Sequence, residues 1–422
     1  MNIQYTESLI LKLCSQPRTL DFITLHLGGV DPITTLGFLG QLEKENKIRL
    51  QDSLWLVEDN AKKEIGDLLN PDKELYLKKY MGDFDVLKKP HPLDFEWRNT
   101  KSSVDYLSDL VLESSTVTDS ILILGMPTLF ANLCNRDIPQ NVTIVERNKG
   151  VINDLKTMSH GNCKVIEADV FSVEPDKIGM YSTVVMDPPW YMEHFNQFIW
   201  LASRCLKLGG RLIISIPPIN TRPGIDKERI DWFTFCQQQG LCLENLYAKK
   251  LQYSMPFFEW NAIRTAGGSA NPFWRHGDLA IFRKLNNTYV NRPKYEEEIS
   301  TWKEVEIENV RFRVKIENNI ENDPLEINHI VPMQILPSVS SRDTRREHAN
   351  VWTSGNRIFK VNNPKNFYTY LQHFRDGIQN ENEESTSTFN FIRLISALEN
   401  GEYNDYIEWL YHEMEREANK LH

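Results

Sequence analysis

The 422 residues are 41% hydrophobic and 25% charged, which suits two or three globular domains with sizeable cores. A formal net charge of −10 excludes a protein that coats nucleic acid unspecifically, while leaving room for a local basic site. No apolar run approaches a membrane span, and the start, MNIQYTESLILKL, lacks the basic region and cleavage site of a secretory leader.

From the N terminus, residues 5–16 read as a helix with Leu9, Ile10 and Leu13 on one face. A short helix fits 19–27 and stops at Gly28-Gly29. Asp31-Pro32 is an N-cap followed by proline at the first helical position, opening a third helix to about residue 47. Strands at 48–50 and 54–57 then form a hairpin about Gln51-Asp52-Ser53. Three helices and a β-wing are the order of a winged helix-turn-helix over residues 1–60. Acids outnumber bases there and the third helix carries little positive charge before Lys44, so contact with a protein partner is expected rather than DNA reading.

Residues 61–101 read as a linker that ends in helical support. A helix over 102–113 follows, with Val104, Leu107, Leu110 and Val111 as its apolar stripe. Strands at 120–124, 141–145, 164–167, 183–186, 211–216, 241–253 and 278–282 then alternate with helices near 129, at 195–206 and at 226–238. This predicts an α/β class, a Rossmann-like seven-stranded parallel sheet over 102–284 covered on both faces. Ligands of such sheets sit at the strands' carboxyl ends. Alternation at 295–317 predicts antiparallel strands in a mixed α+β appendage, β-rich over 285–377. Residues 338–359 read as a polar loop with Arg342, Arg345, Arg346 and Arg357, residues 378–388 as an acidic linker, and 389–420 as helical.

The chemistry centres on residues 183–190, Thr-Val-Val-Met-Asp-Pro-Pro-Trp. A buried strand ends in Asp187, and Pro188 and Pro189 cannot extend it because they lack N–H donors and fix φ. The corner presents the Asp187 carboxylate, the Pro188 carbonyl and the Trp190 face. Two oxygens can hold an exocyclic amine while its ring stacks on the indole. Glu146, ending the second strand of the sheet, can grip a ribose diol, and Asp169, followed by Val170, can reach an adenine edge. The turn after the first strand is Gly125-Met126-Pro127-Thr128 rather than Gly-x-Gly-x-x-Gly, which suits an adenosine cofactor without phosphates such as S-adenosylmethionine. Tyr191 and the cluster Phe257-Phe258-Glu259-Trp260 are candidates to line the entrance, and Arg342, Arg345, Arg346 and Arg357 for phosphate contacts. The six cysteines (14, 134, 163, 205, 236, 242) form no Cys-x-x-Cys pair, so neither a metal site nor a disulfide framework is expected, and a reducing cytoplasm is the default.

The turn ILILGMPTLF, the acid ending the second strand and the DPPW corner, in that order, resemble class I S-adenosylmethionine-dependent N-methyltransferases with an Asn/Asp/Ser-Pro-Pro-aromatic motif. Within that class the chain is similar to the N6-adenine methyltransferase family, which has a Gly/Ser-x-Pro turn and an upstream Trp-containing segment, here FEWRNTKSS. The likeness covers roughly residues 93–284. It implies that Asp187 and Pro188 accept hydrogen bonds from the target amine, that Trp190 stacks on the base, and that Gly125, Glu146 and Asp169 hold the cofactor. The leading acceptor is then adenine N6 in DNA or RNA. The chain departs from the family in ending its motif with Trp rather than Phe, and in lacking the cysteine pairs of the zinc-knuckle member. Three other readings stay open: a branched-chain polyamine synthase, which resembles it in a winged helix and an Asp-Pro-Pro-aromatic strand end; a protein lysine methyltransferase; and a non-catalytic methyltransferase-like scaffold subunit.

Overall fold

The computed structural model of the chain describes residues 3–58, 61, 87–113, 115–136, 138–219, 221–288, 290–294, 302–316, 325–378 and 383–419. They fall into two units. One comprises Met1–Lys88, Trp97–Met255 and Ala270–Tyr295; the other comprises Lys89–Glu96, Pro256–Ser269 and Glu296–His422.

In the first unit, helices α1 (Ile3–Leu13), α2 (Leu20–His26) and α3 (Pro32–Lys44) precede a hairpin of β1 (Ile48–Gln51) and β2 (Leu54–Val57). Thr19 caps α2 by accepting from the Phe22 N–H, and Asp31 caps α3 by accepting from Thr34 with Pro32 behind it. Ile10, Ile23, Leu39, Leu42 and Ile48 pack into one core, so the elements expected over 1–60 form with ends shifted by at most three residues. Of the expected linker, residues 62–86 lie outside the described residues. Its end supplies β3 (Arg98–Asn99), and α4 (Lys101–Glu113) follows.

The sheet is built from β4 (Ser120–Leu124), β5 (Asn141–Glu146), β6 (Cys163–Glu167), β7 (Tyr181–Met186), β8 (Leu206–Ile216), β9 (Leu241–Ser254) and β10 (His276–Lys284). Between them lie α5 (Pro127–Asn135), α6 (Lys149–Met158), α7 (Pro175–Ile178), α8 (Met192–Cys205) and α9 (Ile225–Gln238). Strand order is β3-β9-β10-β8-β7-β4-β5-β6. The expectation of seven parallel strands is corrected in two ways. There are eight, because the two residues of β3, too few to show alternation, pair with the end of β9. The sheet is also mixed, because β10 lies between β8 and β9 and is antiparallel to both. Successive side chains point to opposite faces, so Leu122, Leu124, Val184 and Met186 pack under α8 while Ile121, Ile123 and Val185 pack against α4 and α5.

A disulfide joins Cys134 of α5 to Cys163 at the start of β6, with Cα atoms 6.0 Å apart. This corrects the expectation of no disulfide: a sequence separation of 29 gives no spacing signal, and only the packing of α5 beside the sheet brings the two cysteines together. Such bonds are rare in a reducing compartment, so the cysteines no longer argue for the cytoplasm. No helix among the described residues is long and apolar enough to cross a membrane. The first unit also runs past the expected boundary at 284. Side chains of Arg204, Trp200 and Gln197 on α8 donate to the carbonyls of Thr288, Val290 and Pro293.

The second unit contains α10 (Phe257–Thr265) and an antiparallel sheet of β11 (Trp302–Ile307), β12 (Val310–Lys315), β13 (Ile327–His329), β14 (Val351–Thr353) and β15 (Ile358–Val361), ordered β11-β12-β14-β15-β13. Helices α11 (Pro364–Arg375) and α12 (Glu383–Asn419) complete it. Of the alternation read in 295–317, residues 295–301 and 317 lie outside the described residues, and 302–315 form the β11–β12 hairpin. Two expectations are corrected. Residues 338–359 are not a loop throughout, since they hold a 3-10 turn at Thr344–His348 and the apolar strand β14. Of the acidic linker expected over 378–388, residues 379–382 lie outside the described residues, and 383–388 are instead the first turns of α12, where Ser385 and Thr388 are buried.

Candidate active site

Register places the site. Leu124 of β4 pairs with Val145 of β5 on one side and with Met186 of β7 on the other. The residues that follow, Gly125, Glu146 and Asp187, are therefore neighbours at the carboxyl ends of three adjacent strands. The chain leaves β4 for β5 on one side and returns as β7 on the other, so this is the switch point of the sheet, where α/β folds bind ligands.

Gly125 has φ +71°, and a Cβ there would stand 3.2 Å from the Asp187 carbonyl oxygen. Conformation and space both select glycine. Met126 and Pro127 are buried beneath the turn, so they support it from within rather than face a ligand. One oxygen of Glu146 accepts from the backbone N–H of Arg147 (2.8 Å) and of Asn148 (2.7 Å), which fixes the carboxylate at the strand end. Asp169 accepts from the Phe171 N–H at 2.9 Å and forms an ion pair with Arg147 at 3.3 Å. These two contacts shape the bend that follows β6. Val170 is buried, and its carbonyl accepts from Arg292 at 2.7 Å.

Asp187 is partly accessible and strongly held. The Tyr253 hydroxyl donates to its Oδ1 at 3.0 Å, and Asn99 Nδ2 stands 3.4 Å from its Oδ2. Burial pushes the carboxyl up to about 6, against the opposing pull of Tyr253, Ser215, Arg275 and Asn99. The Arg275 guanidinium lies 4.1 Å from the ring centroid of Trp190 and 4.1 Å from that of Trp97. Trp190 also meets Tyr253 edge-on at 5.8 Å. The Trp190 face expected to receive a base is therefore covered on one side by a cation. Tyr191 stands at the N-terminus of α8, half-buried, 5.8 Å from the His194 ring.

Several predicted substrate contacts belong to the second unit and are spent on its own packing. Trp260 is buried on α10 among Phe257, Tyr406 and Trp409, with Arg264 over its ring, so it is a core residue there. Arg345 is paired with Asp343 at 2.6 Å, Arg346 stacks on Trp352 at 4.3 Å, and Arg357 is buried in a two-point bond with Glu402. Arg342 is exposed. The phosphate reading is corrected for Arg357, whose buried guanidinium is taken up by Glu402. Conversely, Asn99, Ser215, Tyr253 and Arg275 were not foreseen as site residues. Asn99 stood in the FEWRNTKSS segment, but the others carry no local signal.

No protein-family model and no curated protein matches this sequence. Solved structures do resemble it. The branched-chain polyamine synthase of Thermus thermophilus, in complex with N4-aminopropylspermidine and 5'-methylthioadenosine, superposes with a TM-score of 0.53, and its C9 mutein with 0.54. Both are 12% identical and cover 69% of this chain and 91% of theirs. A TehB-like SAM-dependent methyltransferase from Corynebacterium glutamicum covers 42% of this chain and 86% of its own at 14% identity, with a TM-score of 0.30. At these identities the likeness is one of fold.

Proposed function

We propose that the protein transfers a methyl group from S-adenosylmethionine to an exocyclic amine, with adenine N6 in DNA or RNA as the leading acceptor. The observation that carries this reading is Asp187, partly accessible at the switch point, beside a glycine turn and an acid-ended strand. The fit of the cofactor rests on two features. Gly125 permits a tight turn in which a Cβ would press on the Asp187 carbonyl and Phe198, and Glu146 is fixed by two N–H donors in the position that suits a ribose diol. The cofactor supplies an electrophilic methyl on a positively charged sulfur.

The remaining work falls to the chain. Asp187 and the Pro188 carbonyl accept the two N–H groups of the amine, which aims its lone pair away from them and toward the crevice. As positive charge develops on nitrogen, the Asp187 carboxylate stabilises it and stands ready to take the released proton. We read residues 1–60 as a winged helix that contacts a protein partner.

Aminopropyl transfer is the second reading, favoured by the fold likeness to the polyamine synthase over 69% of the chain. Two features weigh against it. The Gly125-Met126-Pro127-Thr128 turn carries no acid, and the Arg275 guanidinium beside Asp187 repels a polycation.

The test is tritiated-methyl transfer to DNA, RNA and protein fractions, with Asp187→Ala as control and calorimetry against S-adenosylmethionine and its decarboxylated form. Label in DNA or RNA that disappears in Asp187→Ala supports the proposal. Label in protein alone removes adenine as acceptor, binding of the decarboxylated form alone selects the second reading, and equal label with Asp187→Ala removes the site.

A further inference from the structure

Tyr253 reaches Asp187 from far away in the sheet. It lies near the end of β9, and β10 and β8 intervene before β7. Its ring crosses Gly277 of β10, where a Cβ would come within 3.2 Å of Tyr253 Cε2 and of the phenol oxygen, and 2.9 Å from Ser215 Oγ. Gly277 is thus required for space. At the end of this path the phenol meets Ser215 Oγ and donates to Asp187 Oδ1 at 3.0 Å. A phenol has one proton, so with that proton directed at the carboxylate the Ser215 hydroxyl is left to donate to the phenol oxygen or to Asp187 itself. The same strand end pairs with β3, which sets Asn99 directly opposite Tyr253 and brings its amide to the other carboxylate oxygen.

We propose that Tyr253, laid across Gly277, is the positioning residue for Asp187: its hydroxyl fixes one carboxylate oxygen and so turns the other toward the acceptor amine. The inference rests on the reading of Asp187 as the amine's partner. The charged and titratable groups facing this carboxyl are Tyr253 from β9 and the Arg275 guanidinium just before β10, while Ser215 of β8 and Asn99 of β3 are neutral. Burial and the neighbouring carboxylate hold the phenol well above its ordinary value, so it remains a donor across the working range.

The experiment measures the pH dependence of transfer and, separately, the titration of Asp187 by carboxyl-carbon NMR, with Asp187→Asn assigning the resonance. Tyr253→Phe is expected to raise both midpoints by about one to two pH units, the worth of one hydrogen bond to a charged group. Transfer at pH 6 then falls about tenfold and recovers at pH 9. Gly277→Ala, which keeps the phenol but displaces it, moves the midpoints the same way, and these two variants carry the test together should one fail to fold. A uniform loss at every pH with unmoved midpoints makes Tyr253 a merely structural contact and overturns the proposal. Midpoints that move by NMR in a protein that alkylates no acceptor leave the positioning standing and remove the proposed activity instead.

Discussion

At the level of single residues, Asp187 sets function against stability. A carboxyl held at about 6 rather than near 4 makes the folded state bind a proton more tightly than the unfolded state between those values. Folding stability is therefore lost as pH rises through that window, and above about 6 the full penalty is present. Transfer that needs the anion rises through the same range. Asp187→Asn is expected to abolish transfer while raising stability at pH 7 by about 1–2 kcal/mol, as read from denaturant midpoints. An inactive variant with unchanged or lower stability would mean that the burial of this carboxyl costs nothing. Gly125 tests the other side of the crevice. With φ +71° and the Asp187 carbonyl 3.2 Å from a new Cβ, Gly125→Ala is expected to weaken S-adenosylmethionine binding about tenfold in calorimetry. Equal affinity in the variant would place the cofactor elsewhere.

At the level of elements, the sequence was most readable where one residue type decides local geometry. The proline-stopped strand at 183–189, the Asp31-Pro32 cap and the alternation of 302–315 all correspond to formed elements. What stayed hidden depends on contacts between distant segments. The two residues of β3 show no period, yet they place Asn99, and Tyr253 reads as one more apolar residue of β9 until the strand order brings it over Gly277. Arginines in a polar stretch look like phosphate contacts because sequence does not reveal Glu402 waiting for Arg357. The second unit holds a similar hidden cluster. Arg311 on β12 is 1% exposed and donates to both Asp94 and Glu304, while Arg313 bonds the same two acids. Buried charges so arranged are costly to separate, and Arg311→Met is expected to destabilise the second unit by about 3–5 kcal/mol because two carboxylates lose a buried partner. A change below 1 kcal/mol in urea unfolding would show the cluster to be dispensable.

At the scale of the whole molecule, the two units carry different chemical dependences, and these predict separable responses. The disulfide between Cys134 and Cys163 lies entirely within the first unit and closes a loop of 29 residues, which chain entropy values at about 3–4 kcal/mol. The two most strongly depressed carboxyls, Asp94 and Glu304, lie in the second: the adjacent Arg313 and Arg311 guanidinium groups overcome burial and hold Asp94 down to about 2. Because the folded value lies below the unfolded one, that stabilisation is complete above about pH 4 and is lost as pH falls toward 2. In scanning calorimetry, a reductant at pH 7 is therefore expected to lower one transition and leave the other in place. Lowering the pH to 3 without reductant is expected to shift the other transition downward. The Cys134→Ala/Cys163→Ala variant distinguishes this from general destabilisation, since its low transition must no longer respond to reductant while the acid response persists. A single transition that moves as one under both treatments would mean that the two units unfold together and that neither dependence is local.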